Sequence, residues 1–194
     1  MRSLTILPPP DTGDSQTNAV ITRTCPEAGA ARELYRIVFN RFNTVHEWSR
    51  YMKEAESIFT LCNNRGERVM RLPRKGDYLR MDIAGEHGFK GSGYYWFLIE
   101  AAGVLQSAAA DEGYYIRLHT SAGPDIEKNT VAFIPPAPGN GILQIRRTGN
   151  AVTVRINMPP SGDALPFEKA AAWQWNKLAA GLLQTDQPCA PVRA

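Results

Sequence analysis

A run of short apolar segments with alternating polar residues, between Lys75 and Met158, most strongly limits the folds open to this chain. A long amphipathic helical stretch precedes the run and a single helix follows it. A period of two residues is typical of half-buried strands, and strands joined by short turns pair antiparallel. The sequence therefore predicts an α+β domain: an antiparallel sheet with a helical hairpin or bent helix before it and a packed C-terminal helix.

The strand pattern is clearest in a hairpin over residues 143–156, where apolar and polar residues alternate on both sides of a turn. A two-residue turn at either Thr148-Gly149 or Gly149-Asn150 keeps the apolar side chains on one face, and both alternatives stay open. A three-residue turn without a bulge is rejected because it opposes Arg146 and Val152. Further strands are predicted at residues 20–22, 79–83, 94–99, 114–120 and 130–134.

The helical stretch before the strands carries an apolar stripe at about 100° per residue that continues to Phe59. Thr44 and Glu47 match a capping box, so the stretch is interpreted as two helices or as one bent helix. Its first half has a second apolar row, which predicts that this part lies between layers or under a partner. That row consists of Tyr35, Phe39 and Phe42.

The last helix, which Asp163 can cap, has a complete apolar stripe that includes Trp175. Trp173 projects from nearly the opposite side, beside Lys169 and Lys177. Because Trp is enriched at interface hot spots, these three residues are predicted to bind a partner. Packing of Trp173 under a terminal tail is an equally supported alternative.

A basic cluster extends from Arg65 to Arg80, into the first strand of the run, and is opposed only by Glu67 and Asp77. A nucleic-acid channel interleaves such charges with aromatic side chains, whereas Tyr78 is the sole aromatic here, so nucleic acid is an unlikely partner. A solvated face or contact with an acidic protein is favoured, and Arg71, Arg74 and Lys75 are added to the predicted partner-binding residues. The cluster consists of Arg65, Arg68, Arg71, Arg74, Lys75 and Arg80.

The sequence matches no catalytic or metal-binding motif. A zinc-protease pattern would need a second histidine four residues after His46, where the chain has Arg50. The loop Gly85–Gly93 has the wrong residue order for a phosphate cradle, and a strand follows it. No catalytic residue, metal or cofactor is predicted, and a role as an enzyme is left open but disfavoured. If the loop contributes site residues, they are His87, Lys90 and Ser92.

Aromatic residues of two predicted strands and the last helix are candidates to line a ligand cavity, although core packing is the default interpretation. They are Tyr95, Phe97, Tyr115 and Trp175.

Size and composition are those of a soluble globular protein, with 194 residues, of which 43% are hydrophobic, and a net charge of +3. Residues 1–18 are interpreted as a Pro-rich arm, 19–184 as a single domain and 185–194 as a tail. The three cysteines have no close pair and predict reduced thiols in a cytoplasmic protein. No apolar run approaches the ~18 residues that a membrane helix requires.

The order of the predicted elements resembles the START-like helix-grip domains over residues 19–184. The resemblance implies a curved sheet wrapped around a long C-terminal helix, often with an apolar ligand held between them. The features that carry it are Trp48, the strand Leu79 to Ile83, the hairpin and the sequence Trp175-Asn176-Lys177-Leu178.

The main functional prediction is a non-catalytic binding module, a subunit that docks into a larger assembly. Its predicted partners are other protein subunits or a second copy of the chain. This prediction is based on four features of the sequence. They are the lack of a set of catalytic residues, the Pro-rich arms, the position of Trp173 and the second apolar row on the first helix. The alternatives are a START-like carrier or enzyme that holds a small apolar ligand, and a weak nucleic-acid contact through the basic cluster.

Overall fold

The computed structural model describes residues 17–52, 57–83, 94–106, 110–124, 139–158 and 166–184. It confirms the predicted α+β class. None of its described helices has both the length and the apolar composition needed to cross a membrane. The strands are β1 Thr17–Thr24, β2 Ser57–Cys62, β3 Tyr78–Ile83, β4 Tyr94–Val104, β5 Glu112–Ser121, β6 Asn140–Thr148 and β7 Ala151–Met158. The helices are α1 Ala28–Asn43, α2 Trp48–Tyr51 and α3 Pro166–Leu183.

The seven strands form one antiparallel sheet in the order β1-β7-β6-β5-β4-β3-β2. The predicted hairpin is β6 and β7, where Thr148 pairs with Ala151 and leaves Gly149-Asn150 as a two-residue turn. Gly149 has a φ of 57°, which its lack of a Cβ permits and which such hairpin turns require. Of the two turns left open, the second is therefore the one formed.

The sheet curls around α3. This helix packs on β1 and β7 at one edge of the sheet, while its Trp175 ring contacts Phe59 on β2, the strand at the other edge. Guanidinium groups from β1 and α1 bind the end of α3, since Arg23 and Arg41 donate to the carbonyls of Leu183 and Leu182. These carbonyls have no partner within a helix, so the two arginines fix the end of α3 against the rest of the fold.

The prediction that helix continues to Phe59 is wrong. Helix α1 ends at Asn43, a short 3-10 turn and α2 follow, and Phe59 lies on β2. The Thr44 hydroxyl does not cap the next turn but donates to the Asn40 carbonyl, so the proposed capping box is absent. The error arose because Phe59 points inward in a strand as it would in a helix, so periodicity over a few residues did not separate the two.

The prediction of reduced cysteines is wrong for Cys25, which is disulfide-bonded. Cys62 is a free thiol on β2 with 1% of its surface exposed, and burial raises its pKa. Disulfides persist in oxidising compartments, so the cysteines no longer support the predicted cytoplasmic location. The predicted strand at 130–134 and the loop from Gly85 to Gly93 lie outside the described residues.

Thiol counting tests this arrangement. In the native oxidised protein we expect no reaction with a thiol reagent, because Cys62 is buried and its raised pKa disfavours the thiolate. Unfolding without a reductant should expose about one thiol per chain, and unfolding with a reductant all three. Three reactive thiols in the unreduced, unfolded protein would show that the Cys25 bond does not form.

Candidate functional site

Three aromatic rings meet between the inner face of the sheet and α3. Trp175 of α3 lies with its ring centroid 5.3 Å from that of Phe59 on β2 and 5.7 Å from that of Phe97 on β4. Alternation along the strands aims Phe59 and Phe97 at the helix, and Tyr95 belongs to the same buried cluster. The structure thus brings together three of the four residues predicted to line a cavity, namely Tyr95, Phe97 and Trp175.

Tyr115, the fourth predicted lining residue, lies on the other face of the sheet. It packs in a separate outer cluster with Leu105 and Ile142. The preceding residue, Tyr114, points inward and places its ring 5.2 Å from that of Phe39 on α1. Because successive side chains of a strand point to opposite faces, Tyr115 does not border the space occupied by Trp175.

A polar pair adjoins the three rings and was not predicted. Ser57 begins β2 and Gln174 precedes Trp175 in α3, and both side chains are buried. The Ser57 hydroxyl donates to the Gln174 Oε1 atom at 3.0 Å. Within the described part of the chain, the Gln174 Nε2 atom has no hydrogen-bond partner. The pair therefore provides a polar group with spare donor capacity beside an apolar surface.

Sequence patterns held a signal for both residues. Ser57, Phe59 and Leu61 alternate with outward residues in β2, but this strand fell within the stretch interpreted as helix. Gln174 lies one helical turn before Leu178, on the edge of the buried stripe, where an amide is out of place. A polar residue within an otherwise apolar stripe was the available clue.

Two of the three predicted partner-binding residues of α3, Trp173 and Lys177, have described side chains. Trp173 is 44% exposed, and the Lys177 ammonium nitrogen lies 3.4 Å from the centroid of its ring. This cation–π contact accounts for the pairing of the two side chains within one helix. The side chain of Lys169 lies outside the described residues.

The predicted partner-binding residues of the basic cluster separate into two kinds. Arg71 forms two hydrogen bonds to the carboxylate of buried Asp77, at 2.6 and 2.7 Å, so its charge holds the chain before β3 in place. Arg74 and Lys75 are exposed. Arg80 lies over the Trp96 ring on the outer face of the sheet, 5.8 Å from its centroid.

A second polar cluster joins the inner side of the sheet to α1. The Arg147 guanidinium lies 2.5 Å from the Glu112 carboxylate and 3.0 Å from that of Asp111. Burial raises the pKa of Tyr35 to about 12, with Glu112 adding to the rise and Arg147 opposing it. Burial also raises the pKa of Tyr114. A phenol with a raised pKa remains protonated at neutral pH, so Tyr35 and Tyr114 contribute to this cluster as neutral, packed aromatic side chains.

The histidines do not assemble a catalytic centre within the described residues. His46 lies 3.9 Å from its neighbour Glu47, and His119 contacts Asn140 at 2.7 Å. The loop candidates His87, Lys90 and Ser92 lie outside the described residues. Among the residues that are described, no group of three or more acidic, histidine or cysteine side chains is arranged to hold a metal ion.

No known protein family and no curated protein matches the sequence. The structure is similar to ginseng major latex-like protein 151 from Panax ginseng, with 8% identity, 88% of this chain and 97% of that chain covered, and a TM-score of 0.40. A protein from Thermus thermophilus is similar at 14% identity, with 86% and 94% covered and a TM-score of 0.38. Ara h 8.0201 is similar at 12% identity, with 86% and 94% covered and a TM-score of 0.39. At sequence identities and TM-scores this low, the similarity concerns only the arrangement of helices and strands.

The arrangement of the sheet around α3 confirms the predicted resemblance to the helix-grip domains. The main functional prediction, a subunit that docks into a larger assembly, is wrong. One basis for that prediction was the second apolar row of α1, but this row lies inside the fold. The rings of Phe39 and Phe42 pack on Tyr114, at centroid distances of 5.2 and 6.2 Å. These side chains are occupied within the chain and leave no apolar row for a partner to cover.

Proposed function

We propose that the protein is a carrier that binds one small apolar ligand between the inner face of its sheet and α3. The observation that carries this proposal is the meeting of Phe59, Phe97 and Trp175 beside a single polar pair. Ligand sites are mostly apolar and aromatic, with a few placed polar groups that orient the ligand. The helix-grip resemblance implies the same class of ligand by analogy of fold. We assign no reaction to the site.

Replacement of an inner aromatic residue tests the proposal. A neutral naphthalene compound, titrated into the protein in a calorimeter, is expected to bind at one site per chain. Phe97→Leu removes a ring that contacts Trp175 and is expected to weaken binding about fivefold, the value of one aromatic contact.

Tyr115→Leu is the matched control, because it removes a similarly buried ring from the outer face of the same sheet. We expect it to change the dissociation constant by less than about twofold, since its ring packs on the face of the sheet opposite to the proposed ligand. An absence of binding by the unaltered protein contradicts the proposal, and so does an equal loss in the two variants.

Location and partners stay predictions. The cytoplasm was predicted from cysteines, of which Cys25 is now known to be bonded, so the thiol count described above bears on location as well. Association with other protein subunits or with a second copy, through Trp173 and its neighbours, is testable by sedimentation of the purified chain.

A further inference from the structure

We propose that Gln174 is the polar anchor of this site and that the ligand presents a neutral carbonyl oxygen to its amide nitrogen. This inference deepens the proposed function and rests on it. It assigns a specificity-determining residue to the site and narrows the ligand from any apolar molecule to one with an uncharged hydrogen-bond acceptor.

The amide of Gln174 is buried, and of its two polar atoms only the oxygen makes a hydrogen bond to a described residue. The side chain has 0% of its surface exposed, and its Oε1 atom accepts a hydrogen bond from Ser57 at 3.0 Å. The Nε2 atom carries two N–H donors and has no partner within the described residues. Leaving a buried donor unsatisfied costs stability, and nearly all buried polar groups in proteins have a partner. A bound acceptor would supply the missing one.

The position of the amide fits the end of an elongated ligand. Ser57 and Phe59 point to the same side of β2, about 7 Å apart along the strand. Gln174 directly precedes Trp175, whose ring lies 5.3 Å from that of Phe59. A molecule whose oxygen meets the Nε2 atom can therefore lay its apolar body along Phe59 and Trp175 towards Phe97.

Charge considerations favour a neutral acceptor. In the described hydrogen bonds and ion pairs, no cationic side chain is joined to Ser57 or Gln174. A carboxylate buried without a cation pays a large desolvation cost that one amide donor does not offset. An alcohol oxygen can also accept from the Nε2 atom, but its hydroxyl hydrogen then needs an acceptor of its own, a demand that a carbonyl group does not make. A ketone, ester, lactone or amide carbonyl satisfies these conditions.

Two nearly isosteric ligands test the inference. Acetylnaphthalene and ethylnaphthalene differ by a carbonyl in place of a methylene, and naphthoate supplies the charged counterpart. By calorimetry we expect acetylnaphthalene to bind the unaltered protein about tenfold more tightly than ethylnaphthalene, the value of one satisfied hydrogen bond. Naphthoate is expected to bind more weakly than acetylnaphthalene.

Gln174→Met keeps the length of the side chain and removes its donors. We expect the preference for acetylnaphthalene to fall to about one or below, while ethylnaphthalene binds within about twofold of its original affinity. The carbonyl stretching band of bound acetylnaphthalene, shifted to lower wavenumber in the unaltered protein, should move back towards its value in hydrocarbon. Asn176→Met, at an exposed position of the same helix, is the control and should leave both readouts unchanged.

Ser57→Ala provides a second variant in case Gln174→Met does not fold. It keeps the amide but removes the hydroxyl that orients it, so the preference for acetylnaphthalene should fall here too. Equal binding of both neutral ligands by the unaltered protein overturns the inference and leaves the carrier function standing, whereas binding of neither overturns the carrier function. An undiminished preference in the folded variants, or tighter binding of naphthoate, also refutes the assignment of Gln174.

Discussion

Gly181→Ala is expected to lower the free energy of unfolding by about 3 kcal/mol, at the upper end of the cost of overpacking a core. The sign is the reverse of the usual one, because Ala in place of Gly within a helix ordinarily stabilises by about 1 kcal/mol. A methyl group on Gly181 would lie 2.7 Å from the carbonyl carbon of Tyr51 and closer still to its oxygen. Both are backbone atoms, so α2 and α3 would have to separate. Chemical denaturation of both proteins measures the effect.

Gly29→Ala is the matched control, since Gly29 lies in α1 and is exposed. Because this position is exposed, the substitution should leave the free energy of unfolding within about 1 kcal/mol of the original value and, through the higher helix propensity of Ala, raise it. If both substitutions stabilise the protein alike, the close approach of α2 and α3 at Gly181 is refuted.

Arg71→Ala is expected to lower the free energy of unfolding by about 3 kcal/mol, because it leaves a buried carboxylate without its cationic partner. Asp77 is only 4% exposed, and Arg71 supplies two of its hydrogen bonds. The backbone N–H of Arg74 also donates to Asp77, at 3.0 Å, and remains in the variant. Urea denaturation monitored by tryptophan fluorescence gives the measurement.

Arg74→Ala removes an equal charge from the same segment and should change the free energy of unfolding by no more than about 0.5 kcal/mol, since that side chain is exposed. Combining Arg71→Ala with Asp77→Ala should cost less than the sum of the two single changes, because the double variant leaves no buried charge behind. Additive losses, or equal losses for Arg71 and Arg74, would argue that the ion pair does not hold this segment.

Short-range periodicity predicted most of the sheet. In β6 and β7 the apolar residues alternate over the whole strand and the turn has a distinctive Gly149-Asn150 pair, so even the register was nearly determined. The prediction failed where the helical and the strand periodicity coincide over a few residues. Phe59 continues the apolar stripe of a helix in the sequence, but it lies in β2. The bend that separates α1 from β2 depends on tertiary packing, which such patterns do not encode.

The site was predicted less completely, because its residues meet only in three dimensions. Alternation that places Ile116 and Leu118 inward also places Tyr115 outward, but the adjacent aromatic pair obscured this. The partnership of Ser57 with Gln174 joins residues 117 positions apart. Likewise, Arg71 was predicted to bind a partner, because its pairing with Asp77 depends on the intervening turn, where Gly76 has a φ of 88°.

The strand order has a consequence for how the chain reaches its native state. Thr17, at the start of β1, pairs with Met158, at the end of β7, so the first described strand finds its neighbour only after most of the polypeptide exists. Contacts between residues so distant in sequence slow folding, because a long loop must close before they form. During synthesis β1 therefore emerges early with both edges unpaired and prone to self-association, and β7 later pairs with one of them.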